Sequence, residues 1–212
     1  MGRLHDLYEF EGQSPWLDNL KRAWLESGEI QQWIDRGVRG ITSNPSIFQK
    51  AIESGDEYSE QLSELTGAGS SVTDAYWSLV TDDITAALAL FAPLDADSNA
   101  GDGYVSVEVA PSLARDTDAT IAMARDLWQR IDRPNLYVKI PATLEGLPAI
   151  RQAISEGINI NVTLIFSLDR YAAVMEAYID GLDAALDAGR DITNISSVAS
   201  FFISRVDTEV DR

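Results

Sequence analysis

Five times along these 212 residues a short β-branched run gives way to a loop and then to an amphipathic helical stretch. VRGITSN (38–44) precedes PSIFQKAIESG, YVSVEVA (104–110) precedes DTDATIAMARDLWQRID, and LYVKIP (136–141) precedes EGLPAIRQAISEG. INVTLIF (160–166) precedes SLDRYAAVMEAYIDGLDAALDAG, and ISSVASF (195–201) precedes ISRVDTEVDR. A sixth strand is predicted near SPWL. Strands joined through helices must lie parallel, so the alternation predicts an α/β fold, either an open doubly wound sheet or a closed barrel. No G-x-G-x-x-G follows the first strand, which argues against a dinucleotide-binding sheet.

Helical spacing supports the alternation. Ile121, Ala124 and Leu127 form one apolar stripe, and Tyr171, Val174, Tyr178 and Leu182 another. Gly37, Gly157 and Gly189 stand where helices should close, and Asn44–Pro45 reads as an N-cap followed by the first helical residue. Extra helices are expected between residues 56 and 91, with TDAYWSLVTDDITAALALF the clearest, and the acidic stretch 92–103 is expected to be a loop. No linker divides the chain, so residues 1–212 are expected to form one domain.

The two faces of the predicted strands differ. Ile160, Val162 and Leu164 share one face of their strand, and Asn161 and Thr163 the other. Val105, Val107 and Val109 oppose Ser106 and Glu108; Leu136, Val138 and Ile140 oppose Tyr137 and Lys139; Ser196, Val198 and Ser200 share a face. An open sheet covered by helices on both sides is apolar on both faces. Polar groups toward the C-terminal ends of the strands instead fit the interior of a barrel that opens onto a site.

Lys139 is the most informative of these residues. Only three of the 16 basic side chains are lysines, and Lys21 and Lys50 lie in polar, helix-like stretches. An ammonium inside an apolar strand is costly unless it is paired or neutralised. Apolar surroundings favour the neutral amine, a nucleophile toward carbonyls whose Schiff-base product is an electron sink for breaking a neighbouring C–C bond. A buried Lys139–Glu108 ion pair without chemistry is the structural alternative.

Composition narrows the remaining chemistry. There is no cysteine, which excludes disulfides and thiolate catalysis and makes a reducing cytoplasm the expected compartment. The single histidine, His5, lies near the start of the chain, a poor place for a Ser-His-Asp triad or a His-based metal centre. A net charge of −18 repels nucleic acid and anionic membranes, and any phosphate site must be local and carry arginine. The start of the chain lacks an apolar signal region, and no run of about 18 apolar residues predicts a membrane span.

WLDNL, GITSNPSIF, VSVEV, LYVKIPAT, NVTLIFS and SSVASFFISRVD together, in this order and spacing, resemble the transaldolase family, over about residues 14–212 and in its long bacterial form. The resemblance implies a (β/α)8 TIM barrel of the class I aldolase kind. It also implies transfer of a dihydroxyacetone unit between sugar phosphates in the pentose phosphate pathway. Lys139 in YVKIP then matches the Schiff-base lysine, and Glu108 in SVEV the acid/base that works through a water. Thr163 in NVTL matches the residue that helps hold that water. Asp18 in WLDNL matches the acid/base that takes the substrate hydroxyl proton. Asn44 and Asn161 match ligands to substrate hydroxyls, Ser200 the serine that binds the terminal hydroxyl, and Arg205 a phosphate-binding arginine. No metal or organic cofactor is implied, because the protonated imine does the electrophilic work, and the partners implied are sugar-phosphate substrates. Plain structural readings stand beside three of these roles. Asn44 could be only a helix N-cap, Asp18 only the cap of a helix beginning near Asn19, and Arg205 only an exposed first-turn residue.

The six strands that can be placed fall short of the eight, and the typical length of about 250 residues, of a full barrel. The expectation is therefore the first six βα units of such a barrel, a single domain incomplete at its C-terminus. The isolated chain is expected to be inactive or only weakly active. The alternatives are a fructose-6-phosphate aldolase-like enzyme, or an inactive sugar-phosphate-binding portion of a larger transaldolase or of a transaldolase/glucose-6-phosphate isomerase fusion.

Overall fold

The structure, a computed structural model, describes residues 2–212. Ten α-helices and six strands run in the order α1 (Arg3–Glu11), β1 (Trp16–Leu17), α2 (Arg22–Glu26), α3 (Glu29–Asp35), β2 (Gly40–Thr42), α4 (Pro45–Ser54), α5 (Ser59–Gly67), α6 (Val72–Asp97), β3 (Tyr104–Glu108), α7 (Thr117–Ile131), β4 (Leu136–Pro141), α8 (Gly146–Ser155), β5 (Ile160–Ile165), α9 (Leu168–Asp187), β6 (Ser197–Phe201) and α10 (Ile203–Val210). All six predicted strands are present. The class is α/β, and within each of the two compact units described below every strand pair is parallel and joins consecutive strands, as in the first six units of a (β/α)8 barrel.

The first unit comprises, of the described residues, 2–107 and Arg130–Leu136. In it β1 pairs with β2 (Trp16 opposite Gly40, Leu17 opposite Ile41) and β2 with β3 (Ile41 opposite Val105, Thr42 opposite Ser106). Gly40 has no substitute here, because a Cβ would come within 2.4 Å of the Trp16 indole. The core gathers Leu20, Ile30, Ile41, Val105 and the buried face of α6, with Leu79, Ile84, Leu88 and Phe91 all at most 1% exposed. By length and composition alone α6 could cross a membrane. Its nine buried residues and the buried, ion-paired Asp83 are how a core helix behaves.

Helix α6 also corrects the sequence reading of residues 92–103. The helix continues through Pro93 to Asp97, and only the remainder is loop. A proline this close to the helix end removes one hydrogen bond where the ladder is about to stop. The Asn44–Pro45 start of α4 is as read, with Asn44 Oδ1 accepting from Ile47 N at 3.0 Å. Helix α2 starts three residues later than expected. It is preceded by Lys21, whose side chain makes no capping hydrogen bond, so Asp18 caps no helix.

The second unit comprises Glu108–Gln129 and Tyr137–Arg212. Here β4 pairs with β5 (Lys139 opposite Asn161, Pro141 opposite Thr163) and β5 with β6 (Asn161 opposite Val198, Ile165 opposite Phe201). The register breaks between Val162 and Ile165, where Leu164 adopts φ 61° and is 38% exposed. Leu164 therefore does not share the apolar face with Ile160 and Val162; Ile165, 1% exposed, takes that place. Helices α8 and α9 pack closely because Gly181 faces Ile154. A Cβ at Gly181 would lie 2.7 Å from Ile154 Cβ and 2.8 Å from Arg151 O.

Candidate active site

Strand β4 is buried along its whole length, and its alternation sets Tyr137 and Lys139 on one side. Within the second unit Lys139 Nζ lies 3.4 Å from Glu108 Oε2, with side chains 5% and 14% exposed. The backbone holds the two residues in register, since Val109 N donates to Lys139 O at 3.1 Å. A separation of 3.4 Å is an ion pair longer than the 2.7–2.9 Å of a charge-assisted hydrogen bond. Withdrawing both charges from water costs several kcal/mol per ion, so such a pair is weak evidence for a stabilising role.

Neighbouring strands extend this polar row. Asn161, opposite Lys139, is 2% exposed, and its Oδ1 accepts from Ser200 Oγ at 2.9 Å. Thr163, two residues on along β5 and opposite Pro141, is 1% exposed, and its Oγ1 is buried without a hydrogen-bond partner. Its backbone carbonyl is engaged, with Thr163 O accepting from Ala142 N at 2.8 Å. A buried hydroxyl without a protein partner calls for a water or a ligand group. The bulge at Leu164 follows it directly, at a place where bulges re-aim side chains. One step toward the start of the strands, Tyr137 Oη and Ser196 Oγ lie 2.5 Å apart, and Asn159 Oδ1 accepts from Ser196 N at 2.9 Å.

The unit thus brings together five of the eight candidate residues: Lys139, Glu108, Asn161, Thr163 and Ser200. Arg205 also belongs to it, in the first turn of α10, exposed, with its guanidinium 4.4 Å from the centre of the Phe202 ring. Asp18 and Asn44 belong to the first unit. Asp18 is exposed in the loop after β1. Asn44 caps α4 through its carbonyl oxygen, a role that does not use its side-chain NH2. Among the described residues no group of three or more acidic or His side chains could hold a metal ion.

The arrangement in the second unit can perform amine chemistry. A buried lysine nitrogen beside a carboxylate can add to a carbonyl, while the carboxylate moves the protons of water loss and re-addition. Asn161 and Ser200 present a linked amide and hydroxyl suited to a polyhydroxylated ligand.

Sequence reasoning missed a second buried polar cluster, in the first unit. The Arg22 guanidinium donates from Nε to Asp83 Oδ1 (2.7 Å) and from Nη1 to Gln61 Oε1 (2.7 Å), and stacks 4.5 Å from the Tyr58 ring centre. Tyr58 Oη donates to Asp83 Oδ2 at 2.7 Å and accepts from Arg22 N at 3.1 Å. Burial pushes the Asp83 carboxyl above its ordinary range, against the opposing hydrogen bonds from Tyr58 and Arg22. Burial, together with Asp83, also raises the Tyr58 phenol. The signal was present: Asp83 falls on the helical stripe of Leu79 and Ala87, where an unpaired acid would be out of place.

The model of the family described as Transaldolase/Fructose-6-phosphate aldolase matches residues 15–212. Proteins named Transaldolase from Kocuria rhizophila and Thermobifida fusca are each 54% identical over 202 residues, covering 95% of this chain and 55% of theirs. The Transaldolase of Mycobacterium tuberculosis is 50% identical over 202 residues, 95% of this chain and 54% of its own. The chain spans about half the length of the curated relatives it matches.

Proposed function

The chain belongs to the transaldolase/fructose-6-phosphate aldolase family, and from that premise we propose that it carries the Schiff-base machinery of a transaldolase, moving a dihydroxyacetone unit between sugar phosphates. The observation that carries the proposal is the Lys139 amine, buried 3.4 Å from the Glu108 carboxylate beside Asn161 and the unpartnered Thr163 hydroxyl.

In this mechanism Lys139 Nζ adds to the C2 carbonyl of a ketose phosphate. Glu108, through a water held by Thr163, returns a proton to the departing hydroxyl, so that water leaves and an iminium forms. Asp18 takes the proton of the C4 hydroxyl; the C3–C4 bond breaks, its electron pair enters the iminium as an enamine, and an aldehyde phosphate departs. The enamine carbon then attacks an acceptor aldehyde, the proton returns to the new hydroxyl, and water releases the product from Lys139. Asn44, Asn161 and Ser200 hold substrate hydroxyls. Arg205 holds the phosphate, a task suited to an exposed guanidinium at a helix start.

The test is turnover of fructose 6-phosphate with and without erythrose 4-phosphate as acceptor. Transaldolase chemistry gives sedoheptulose 7-phosphate only with the acceptor, and Lys139→Met abolishes it. Release of free dihydroxyacetone at the same rate without acceptor would favour the fructose-6-phosphate aldolase reading. Turnover retained by Lys139→Met would refute both.

A further inference from the structure

We propose that Arg22, Tyr58, Gln61 and Asp83 form a clamp whose task is to position Asp18, making Arg22 a positioning residue for the C–C cleavage step; this rests on the reading of Asp18 as the base for the substrate hydroxyl. Asp18 begins a four-residue loop, 18–21, between β1 and α2. On one side the loop is fixed by the pairing of Leu17 with Ile41. Within it, Leu20 is fully buried in the core. On the other side it runs straight into Arg22, where the clamp closes.

That closure has two parts. First, α2 has no side-chain cap of its own, and the Arg22 N–H, one of the donors a helix start leaves without a partner, is taken by the Tyr58 hydroxyl. Second, the three nitrogens of the guanidinium all find acceptors: Nε on Asp83 (2.7 Å), Nη1 on Gln61 (2.7 Å) and Nη2 on Leu79 O at the limit of 3.5 Å. Gln61 in turn donates to Asp82 at 2.5 Å. A forked guanidinium bonded through each of its three nitrogens is held in one geometry, which an ammonium could not reproduce. The partners come from α5, from α6 and from Tyr58 just before α5, so the helices inserted between β2 and β3 serve to brace the loop after β1.

A cluster of this kind does more than stabilise. A buried ion pair is a poor source of net stability, because desolvation offsets the attraction. Asp83 illustrates this, since burial raises its carboxyl despite the hydrogen bonds from Tyr58 and Arg22. What the cluster supplies is a fixed backbone four residues from a carboxylate that must meet one proton in one geometry. A misplacement of about 1 Å at such a group can cost about 100-fold in rate.

The test compares Tyr58→Phe and Arg22→Lys with the unaltered chain. Tyr58→Phe keeps the ring over the guanidinium and removes only the hydroxyl. Two readouts are taken with fructose 6-phosphate: borohydride-trapped adduct on Lys139, which reports imine formation, and glyceraldehyde 3-phosphate released in a single turnover, which reports cleavage. A third is amide hydrogen exchange at residues 18–22. The clamp predicts exchange faster by about 10-fold, cleavage slower by about 10- to 100-fold, and imine formation within about twofold of the unaltered chain. Both variants should behave this way, with Arg22→Lys the more severe. A general loosening of the fold would instead slow imine formation and cleavage together, and that result overturns the proposal, as does unchanged exchange. If the unaltered chain forms no imine on Lys139, the functional reading itself fails, and the exchange data alone decide whether the clamp fixes the loop.

Discussion

The same substitution, glycine to alanine, should act with opposite sign at two helical positions. Gly181 lies within α9 against α8, and Gly67 ends α5 in the open. An added Cβ at Gly181 meets Ile154 Cβ and Cγ2 at 2.7 Å and the Arg151 carbonyl oxygen at 2.8 Å, whereas at Gly67 nothing lies within 4 Å. Carbon atoms at their optimum stand about 3.5–4.0 Å apart, so relief at Gly181 requires a shift of about 1 Å. One obstacle is backbone, and another is the Cβ of a buried isoleucine, which no rotamer change moves. Overpacking of this kind costs about 1–3 kcal/mol. Alanine's helix propensity returns about 1 kcal/mol at either site, less at a helix end. The sum is a loss of up to about 2 kcal/mol for Gly181→Ala and a gain of about 0.5 kcal/mol for Gly67→Ala. For a chain of this size 1 kcal/mol corresponds to about 2–4 °C in Tm. Thermal unfolding followed by circular dichroism would show the two variants moving apart around the unaltered chain. Parallel shifts, or a stabilised Gly181→Ala, would refute the packing argument.

Further predictions concern β5, one surface ion pair and the pair at the site. Leu164 sits at φ 61° with its side chain partly in water, so Leu164→Asn should leave stability within about 0.5 kcal/mol, whereas Leu164→Val should lose about 1–2 kcal/mol because a β-branched residue resists that conformation. Urea titration checks this, and a loss of about 2–5 kcal/mol in Leu164→Asn would mean that Leu164 lies in the core after all. The Arg125 guanidinium grips Glu156 with two nitrogens and holds its carboxyl below its ordinary value of 4.5, with Gln152 and Arg190 adding to the effect. A depressed carboxyl contributes stability that is complete above the unfolded-state value and is lost as pH falls through the folded one. Below about pH 4.5 stability should therefore fall more steeply in the unaltered chain than in Glu156→Gln, and equal slopes in urea midpoints would contradict it. Lys139→Met should fold with stability near that of the unaltered chain once Glu108→Gln is added, while Lys139→Met alone, which takes the ammonium from beside the part-buried carboxylate, should be the weaker of the two by about 1–3 kcal/mol in the same titration.

Much of this was legible in the sequence because the responsible physics is local. Asn44 and Pro45 start α4 through their own capping chemistry, and Gly37, Gly157 and Gly189 take the positive φ that helix ends favour. The six strands follow from β-branched runs, and period two alone put Lys139 and Glu108 on the polar faces where the structure pairs them. The failures arose where distant contacts decide. The bulge at Leu164 interrupts a pattern that reads as unbroken alternation, because register with β6 outweighs the local preference. Helix α6 runs through Pro93 on the strength of its buried face. The clamp joins Arg22 to residues 36 to 61 positions away, which periodicity cannot see. At the candidate site, residue types and faces were readable, but the hydrogen bond from Ser200 to Asn161 and the unpartnered Thr163 hydroxyl were not.

The central claim is that the Lys139 amine forms the covalent bond to substrate. Borohydride reduction in the presence of fructose 6-phosphate, followed by peptide mass spectrometry, tests it most directly. The account predicts a reduced dihydroxyacetone or hexose phosphate adduct on Lys139, absent from Lys21 and Lys50 and strongly diminished in Glu108→Gln. A folded chain that yields no adduct on Lys139, or one that labels all three lysines alike, would contradict it.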